Sequence, residues 1–222
     1  MKTPINDVYF YPFSSRFENN CNTVIIDGPE KLIIDPGHKH HWPKLRDQIK
    51  NDGLNPADLK LCLHTHCHPD HMEAGQILES DYGATQAMSQ TEKDYFDTQG
   101  HILFTWMGLD LPQGHIGYLL EEGQLTIGNK ELQLYQCPGH TPGSLVIHWP
   151  ETGLLITGDV IFPASYGRTD FPGGSQEAIS QSINRLSQLK ELSLLLPGHG
   201  STLKGANDIY NNFAYVSEIL TF

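Results

Sequence analysis

Short apolar runs broken by polar turns set the rhythm of this chain. Val8-Tyr9-Phe10-Tyr11 reads as an opening strand. Thr23-Val24-Ile25-Ile26 and Leu32-Ile33-Ile34 flank Asp27-Gly28, two β-branched runs around a turn and hence a hairpin signal. The second run ends in Asp35-Pro36-Gly37, and a helix is predicted over 43–50. Leu59-Lys60-Leu61-Cys62-Leu63 is the next strand. Later, Ser144-Leu145-Val146-Ile147, the turn Pro150-Glu151-Thr152-Gly153 and Leu154-Leu155-Ile156 repeat the hairpin and end at Gly158-Asp159. Ser175 suits the N-cap of a helix over 176–190, whose stripe is Ile179, Ile183 and Leu186. An apolar strand over 192–196 runs into Pro197-Gly198-His199, and 203–220 holds a last helix with Ile209, Phe213 and Val216 on one side.

Each half therefore reads hairpin, helix, strand, histidine. Any α/β protein offers such hairpins, but the shared polar punctuation at the strand ends favours an ancient duplication. Between the halves, Ser89-Gln90-Thr91-Glu92 resembles a helix start. The aromatic cluster that follows, around Tyr95-Phe96 and Leu103-Phe104-Thr105-Trp106-Met107, could fill core, make a homodimer contact or line a substrate cleft. Nothing looks like a linker, so residues 1–222 are read as a single domain.

Composition narrows the function classes. A net charge of −12 argues against nucleic-acid binding through a basic surface. No apolar run approaches the ~20 residues that span a bilayer, and Met1-Lys2-Thr3-Pro4-Ile5-Asn6-Asp7 lacks the apolar core of a secretory signal. Cys21, Cys62, Cys67 and Cys137 show no C-x-x-C pairing, and free thiols in a cytoplasmic protein are the expectation.

The candidate chemistry sits in His64-Thr65-His66-Cys67-His68-Pro69-Asp70-His71, directly after the strand at 59–63. In an extended segment alternate side chains share a face, so His66, His68 and Asp70 project together while Cys67 points away. His71 has the wrong parity. A helix entered at Pro69–Asp70 and running through Met72 to Leu78 would bring it back, proline and an early acid both suiting a first helical turn. Crowded imidazoles and carboxylates are donors for zinc, iron or manganese; without a cation they would repel when protonated.

These residues resemble a known family. Thr65-His66-Cys67-His68-Pro69-Asp70-His71 fits the T-H-x-H-x-D-H signature of the metallo-β-lactamase fold superfamily. Pro138-Gly139-His140-Thr141-Pro142-Gly143-Ser144, Thr157-Gly158-Asp159 and Pro197-Gly198-His199-Gly200 follow in the family's order. Gly167-Arg168-Thr169-Asp170-Phe171 is similar to a segment of the glyoxalase II-like and persulfide dioxygenase branches. The resemblance implies a four-layer αββα sandwich of two mixed β-sheets with the ligands at one rim. It places His66, His68 and His140 on a first metal, Asp70, His71 and His199 on a second, and Asp159 between them. Two divalent ions are implied, zinc first, with iron or manganese as alternatives.

Around that set, His64 is expected in the core or behind the ligands. Asp35 either braces a ligand or is a plain turn residue. His38, His40 and His41 read as a solvated loop or an anion contact. Arg168 and Asp170 are expected to pin a loop through an ion pair, and Tyr166 is a weaker candidate for orienting substrate. His101, His115 and His148 carry no pattern.

Two cations about 3.5–4 Å apart can share a water and convert it to hydroxide near neutral pH. Hydroxide attack on a polarised carbonyl, with Asp70 also orienting the nucleophile, is the predicted catalysis. No dedicated general acid stands out, which favours a leaving group such as a thiolate, whose parent thiol has a pKa of about 8.5. The expectation is thus a small-molecule thioester or related acyl substrate, in line with the glyoxalase II-like resemblance. Glyoxalase II enzymes acting on glutathione thioesters carry a helical C-terminal domain that the residues after His199 are too few to form. The rival is a mononuclear iron persulfide dioxygenase-like oxidoreductase, with His66, His140 and Asp159 as its facial triad.

Overall fold

The computed structural model of the chain describes residues 2–15 and 17–220. β1 (Val8–Tyr11), β2 (Thr23–Ile26) and β3 (Lys31–Ile34) form an antiparallel meander. Helix α1 (Trp42–Asn51) then crosses over, and β4 (Leu59–Leu63) lies parallel to β3. Two short helices, α2 (Pro69–Met72) and α3 (Gly75–Tyr82), lead to β5 (Thr85–Ser89). An excursion through α4 (Gln90–Tyr95) and α5 (Ile102–Trp106) precedes β6 (Ile116–Leu120), which completes a six-stranded sheet ordered β1-β2-β3-β4-β5-β6.

The second sheet begins with β7 (Gly123–Ile127), β8 (Lys130–Gln136), β9 (Leu145–Trp149) and β10 (Leu154–Gly158), all antiparallel neighbours. A small ribbon, β11 (Ile161–Phe162) with β12 (Ser165–Tyr166), and helix α6 (Gln176–Leu186) precede β13 (Leu194–Pro197), which pairs parallel to β10. β14 (Leu203–Lys204) closes the edge and α7 (Ala206–Leu220) follows, giving the order β14-β13-β10-β9-β8-β7.

Why the central strands read as unbroken apolar runs is now plain: both of their faces are covered. Val8, Phe10, Val24, Ile26, Leu32, Ile34 and Leu63 meet Ile147, Trp149, Leu154, Ile156, Leu194 and Leu196 between the sheets. Their neighbours of opposite parity face the helices. Tyr9, Ile25, Ile33 and Cys62 pack on Trp42, Leu45 and Ile49 of α1 and Leu78 of α3. Val146, Leu155 and Leu195 pack on Ile179, Ile183 and Leu186 of α6 and on Ile209, Phe213 and Val216 of α7. Burying such a side chain is worth ~1.5–3 kcal/mol, so each layer is held by its own set of contacts. The result is the helix–sheet–sheet–helix sandwich. Among the described residues no helix is long and apolar enough to cross a membrane.

Three expected helices are cut short. The one entered at Pro69 stops at Met72 and restarts at Gly75. The carbonyls of Asp70 and His71, which would continue it, accept instead from the N–H groups of Cys21 and Gly37, and the Ala74 N–H donates to the Gly37 carbonyl. The helix over 176–190 ends at Leu186, where i→i−3 bonds from Gln188 and Leu189 tighten the chain and Glu191 turns it with φ 60°. Residues 203–204 are strand, so the last helix starts at Ala206.

Candidate metal centre

Five strand ends meet at one rim. Asp35 follows β3, the loop 64–71 follows β4, His140 lies between β8 and β9, Asp159 follows β10 and His199 follows β13. Every one of the seven predicted donors is there. The donor atoms of His66, His68 and His140 lie within 4.8 Å of one another, and so do those of Asp70, His71 and His199. Asp159 stands between the two groups. Its Oδ1 is 3.3 Å from His71 Nε2, while Oδ2 is 3.6 Å from His140 Nε2 and 3.5 Å from His199 Nε2.

The imidazoles are aimed by what holds their other nitrogen. His71 Nδ1 is 3.0 Å from Asp35 Oδ2, and His140 Nδ1 is 2.8 Å from the Arg168 carbonyl, so both present Nε2 to the site. Asp35 also accepts from the Thr65 N–H at 2.8 Å and its Oγ1–H at 2.6 Å, which fixes the start of the ligand loop. Asp35 is thus the brace and not a plain turn residue, and it takes a left-handed φ of 52° to reach there.

Electrostatics separate the two groups. Burial pushes His66 well below the ordinary histidine value, helped by neighbouring imidazoles, and pushes His68 down to about 3. His140 is lowered for the same reason. These rings are neutral at pH 7 with lone pairs to offer. Burial works against His71 too, but Asp159, Asp35 and Asp70 outweigh it and raise His71 well above its usual value. Asp70 and Asp159 stay far below the usual carboxylate range despite burial, because His71 and His199 lie beside them.

The donor set fits a divalent cation. Among the described residues His66 Nε2 is buried without a hydrogen-bond partner, which costs ~1–3 kcal/mol if left unmet, and His68 Nδ1 faces His140 Nε2 at 2.9 Å. Borderline divalent ions accept this mixture of imidazole and carboxylate. Gly198 makes room for it: a Cβ there would collide with Asp159 Oδ1 and come within 2.8 Å of His71 Cε1. Gly139, in the matching Pro-Gly-His turn, serves another end, since a Cβ there would meet the backbone of Ile179 on α6.

Some residues fall outside the cluster. His64 is buried behind it, with Nε2 2.9 Å from Gln86 Oε1. Cys67 points away, packing with Met72, Met88, Tyr95 and Phe104. Arg168 forms a two-pronged ion pair with Asp170 and stacks 3.6 Å from the Phe171 ring centroid. Tyr166 accepts from Gln176 Nε2 and does not line the cleft. His101, His115 and His148 share no donor group with the cluster.

Two participants escaped sequence reasoning. Glu92, buried, accepts from Cys67 N–H at 2.8 Å, Thr141 Oγ1 at 2.8 Å and Gly143 N–H at 2.9 Å, so it ties the ligand loop to the loop carrying His140. The Ser89-x-x-Glu92 pattern announced a helix start but not this second use. Asn19 donates to Asp70 Oδ2 at 2.7 Å, and no local pattern marks it. Above the cluster opens a cleft of about 420 Å³, walled by Leu103, Met107, Phe162, Phe171 and Arg168. Part of the aromatic segment between the halves is therefore cleft wall, while Tyr95 and Phe104 fill core.

Comparison with known proteins agrees with this geometry. The family model of the metallo-β-lactamase superfamily matches residues 16–199. The chain belongs to that superfamily. Among its relatives, a probable metallo-hydrolase of Bacillus subtilis, YqgX, is 33% identical over 198 residues, 86% of this chain and 92% of that one. The hydroxyacylglutathione hydrolase GloC of Haemophilus influenzae is 33% identical over 195 residues, 84% of this chain and 88% of that one. A solved structure, TTHA1623 in a di-iron-bound form, superposes with a TM-score of 0.70 at 28% identity, covering 83% of this chain and 89% of that one. Membership makes this a metal-dependent hydrolase-type enzyme, since metallo-β-lactamase superfamily proteins bind divalent metals.

Proposed function

We propose that the enzyme is a dinuclear metallohydrolase acting on a small thioester or a similar acyl substrate. His66, His68 and His140 would hold one divalent ion and Asp70, His71 and His199 the other, with Asp159 a ligand available to both. The observation that carries this reading is the position of Asp159, with its two oxygens turned toward imidazoles of both groups. Zinc is the first choice of metal, with iron and manganese suited to the same donors. Bound there, the two cations supply an acidified water as nucleophile and polarise the acyl carbonyl.

The chain's own residues set the rest. Asp70, steadied by Asn19, orients the nucleophile from the second group. Leu103, Met107, Phe162 and Phe171 exclude water from one side of the bound acyl group. Among the described residues, the polar side chains at the cleft beyond the donors are Asn19 and Arg168. Neither is suited to protonate a departing amine, the guanidinium being effectively always charged. A thiolate needs no such help, and a relative bearing the name of a thioester hydrolase points the same way.

The test is a metal count on protein as purified, with thioester cleavage followed by thiol release. Asp70→Ala and His199→Ala should each abolish cleavage and halve the metal content. Undiminished turnover in both variants sinks the dinuclear reading. One iron per chain with persulfide-dependent oxygen uptake would instead favour an oxygenase built on His66, His140 and Asp159.

A further inference from the structure

A second group of donors lies outside the rim cluster, in the turn that follows Asp35. His38, on the turn after Gly37, places Nδ1 2.8 Å from Glu73 Oε2. His40 stacks on His38 with ring centroids 5.2 Å apart and 28° between planes, and His41 follows at 4.0 Å from His40. One ligand atom each from His38, His40 and Glu73 lies within 4.8 Å of the other two. We propose that His38, His40 and Glu73 form a peripheral site for a borderline divalent cation such as zinc, separate from the catalytic pair.

Glu73 is the reason to read more than a solvated turn. It sits at the break between α2 and α3 and is fully buried, with Oε2 held by His38 Nδ1 and the Lys39 N–H and Oε1 facing the partly exposed Lys39 ammonium. A carboxylate taken out of water needs a cation beside it. The charge now nearest is the Lys39 ammonium, 3.3 Å from Oε1. Lys39 is 40% exposed and lies 3.8 Å from Asp110 Oδ2 as well, so it can turn to that surface acid and leave Glu73 to an ion. Two imidazole nitrogens, one carboxylate oxygen and a water make a four-coordinate set of the kind zinc accepts. His40 is exposed, which gives the ion a route in.

An ion here would fasten two segments that the catalytic site leans on. The turn is anchored by His38 N–H donating to Asn20 Oδ1 at 2.6 Å and by Gly37 N–H donating to the His71 carbonyl at 3.1 Å. Occupancy would stiffen the connection between Asp35 and the ligand helix without touching either catalytic group.

Equilibrium dialysis of the holoenzyme against Zn2+, counted by elemental analysis, tests this. Wild type should take up one equivalent more than His40→Ala, while both keep the same chelator-resistant metal and the same turnover before zinc is added. The melting temperature should rise with added zinc in wild type and not in His40→Ala. Lys39→Gln should bind the additional ion more tightly. Equal uptake by wild type and His40→Ala overturns the site. So does loss of the additional equivalent in Glu18→Ala with none in Glu73→Gln, which would move the ion to the neighbouring Glu18, His40 and His41 group. Because the reading is a difference between two proteins with identical catalytic donors, it stands or falls apart from the dinuclear assignment.

Discussion

The two halves of the molecule bring donors to one rim by different means. In the first, a single loop after β4 carries His66, His68, Asp70 and His71. In the second, His140, Asp159 and His199 each come from a separate strand end. The sharpest contrast is between Asp35 and Asp159. Each follows a strand with a parallel partner, β3 beside β4 and β10 beside β13. Asp35 spends its oxygens on Thr65 and on the outer nitrogen of His71, whereas Asp159 turns both oxygens to ring nitrogens at the centre. Comparable strand-end positions thus carry a brace in one half and a candidate donor in the other. The concentrated loop leans on a carboxylate at its start, while the scattered groups start from separate strand ends, with His140 held besides by the Arg168 carbonyl.

Breaking this contrast should cost unequal amounts. Asp159→Ala removes an oxygen from both donor groups and should lose metal and turnover by more than any brace variant, measured by metal content and initial rate. Asp35→Asn keeps its shape but leaves His71 less firmly aimed, and outer partners of this kind are worth ~10–100-fold in metal affinity or activity. Should Asp35→Asn prove as damaging as Asp159→Ala, the division between brace and donor is wrong.

A subtler test uses pH on the chelated protein. His66 and His68 are held below the unfolded histidine value of about 6.5, so between that pH and the depressed values the unfolded chain binds protons the folded one refuses. Stability from these rings is full above pH ~6.5 and falls as pH drops, by up to ~1.4 kcal/mol per unit for each ring. His71 and His199 are raised, so their contribution has the opposite sign: present at low pH and lost as pH climbs through their values. Denaturant midpoints should therefore fall from pH 6.5 toward 4, and His68→Asn should flatten that slope. An unchanged slope would mean that burial does not keep His68 neutral. The smallest effect belongs far from the rim. Arg185→Ala breaks a half-exposed pair with Glu122 and should cost at most ~1 kcal/mol with metal content intact.

Much of this was legible in the sequence because short apolar runs bounded by turns and the histidine spacing are local signals. The hairpins, β4 and α1 stand where the pattern put them, and the seven residues that the family resemblance singled out come together at one rim. The strands β5 to β8 went unassigned; in β5 the polar Gln86 and Ser89 are buried and in β6 Tyr118 and Leu119 are exposed, so burial there departs from the apolar pattern of the sequence. The helix break at Glu73 was invisible because its cause is distant: Cys21 and Gly37 take the carbonyls that a longer helix would need. Glu92 and Asn19 went unrecognised for the same reason, as each acts on a residue dozens of positions away. What Gly139 and Gly198 make room for could not be told apart without knowing that α6 lies against one and Asp159 against the other.

Those two captured carbonyls bear on how the site can come into being. A fragment spanning residues 59–82 would contain the densest run of donors in the protein, yet nothing in it would stop the helix from winding onward and carrying Asp70 and His71 out of line. Only after the first three strands have closed over it does the loop acquire its shape, so assembly of the centre should be a late event in folding, and splitting the chain ahead of β4 should yield a piece that binds metal without order.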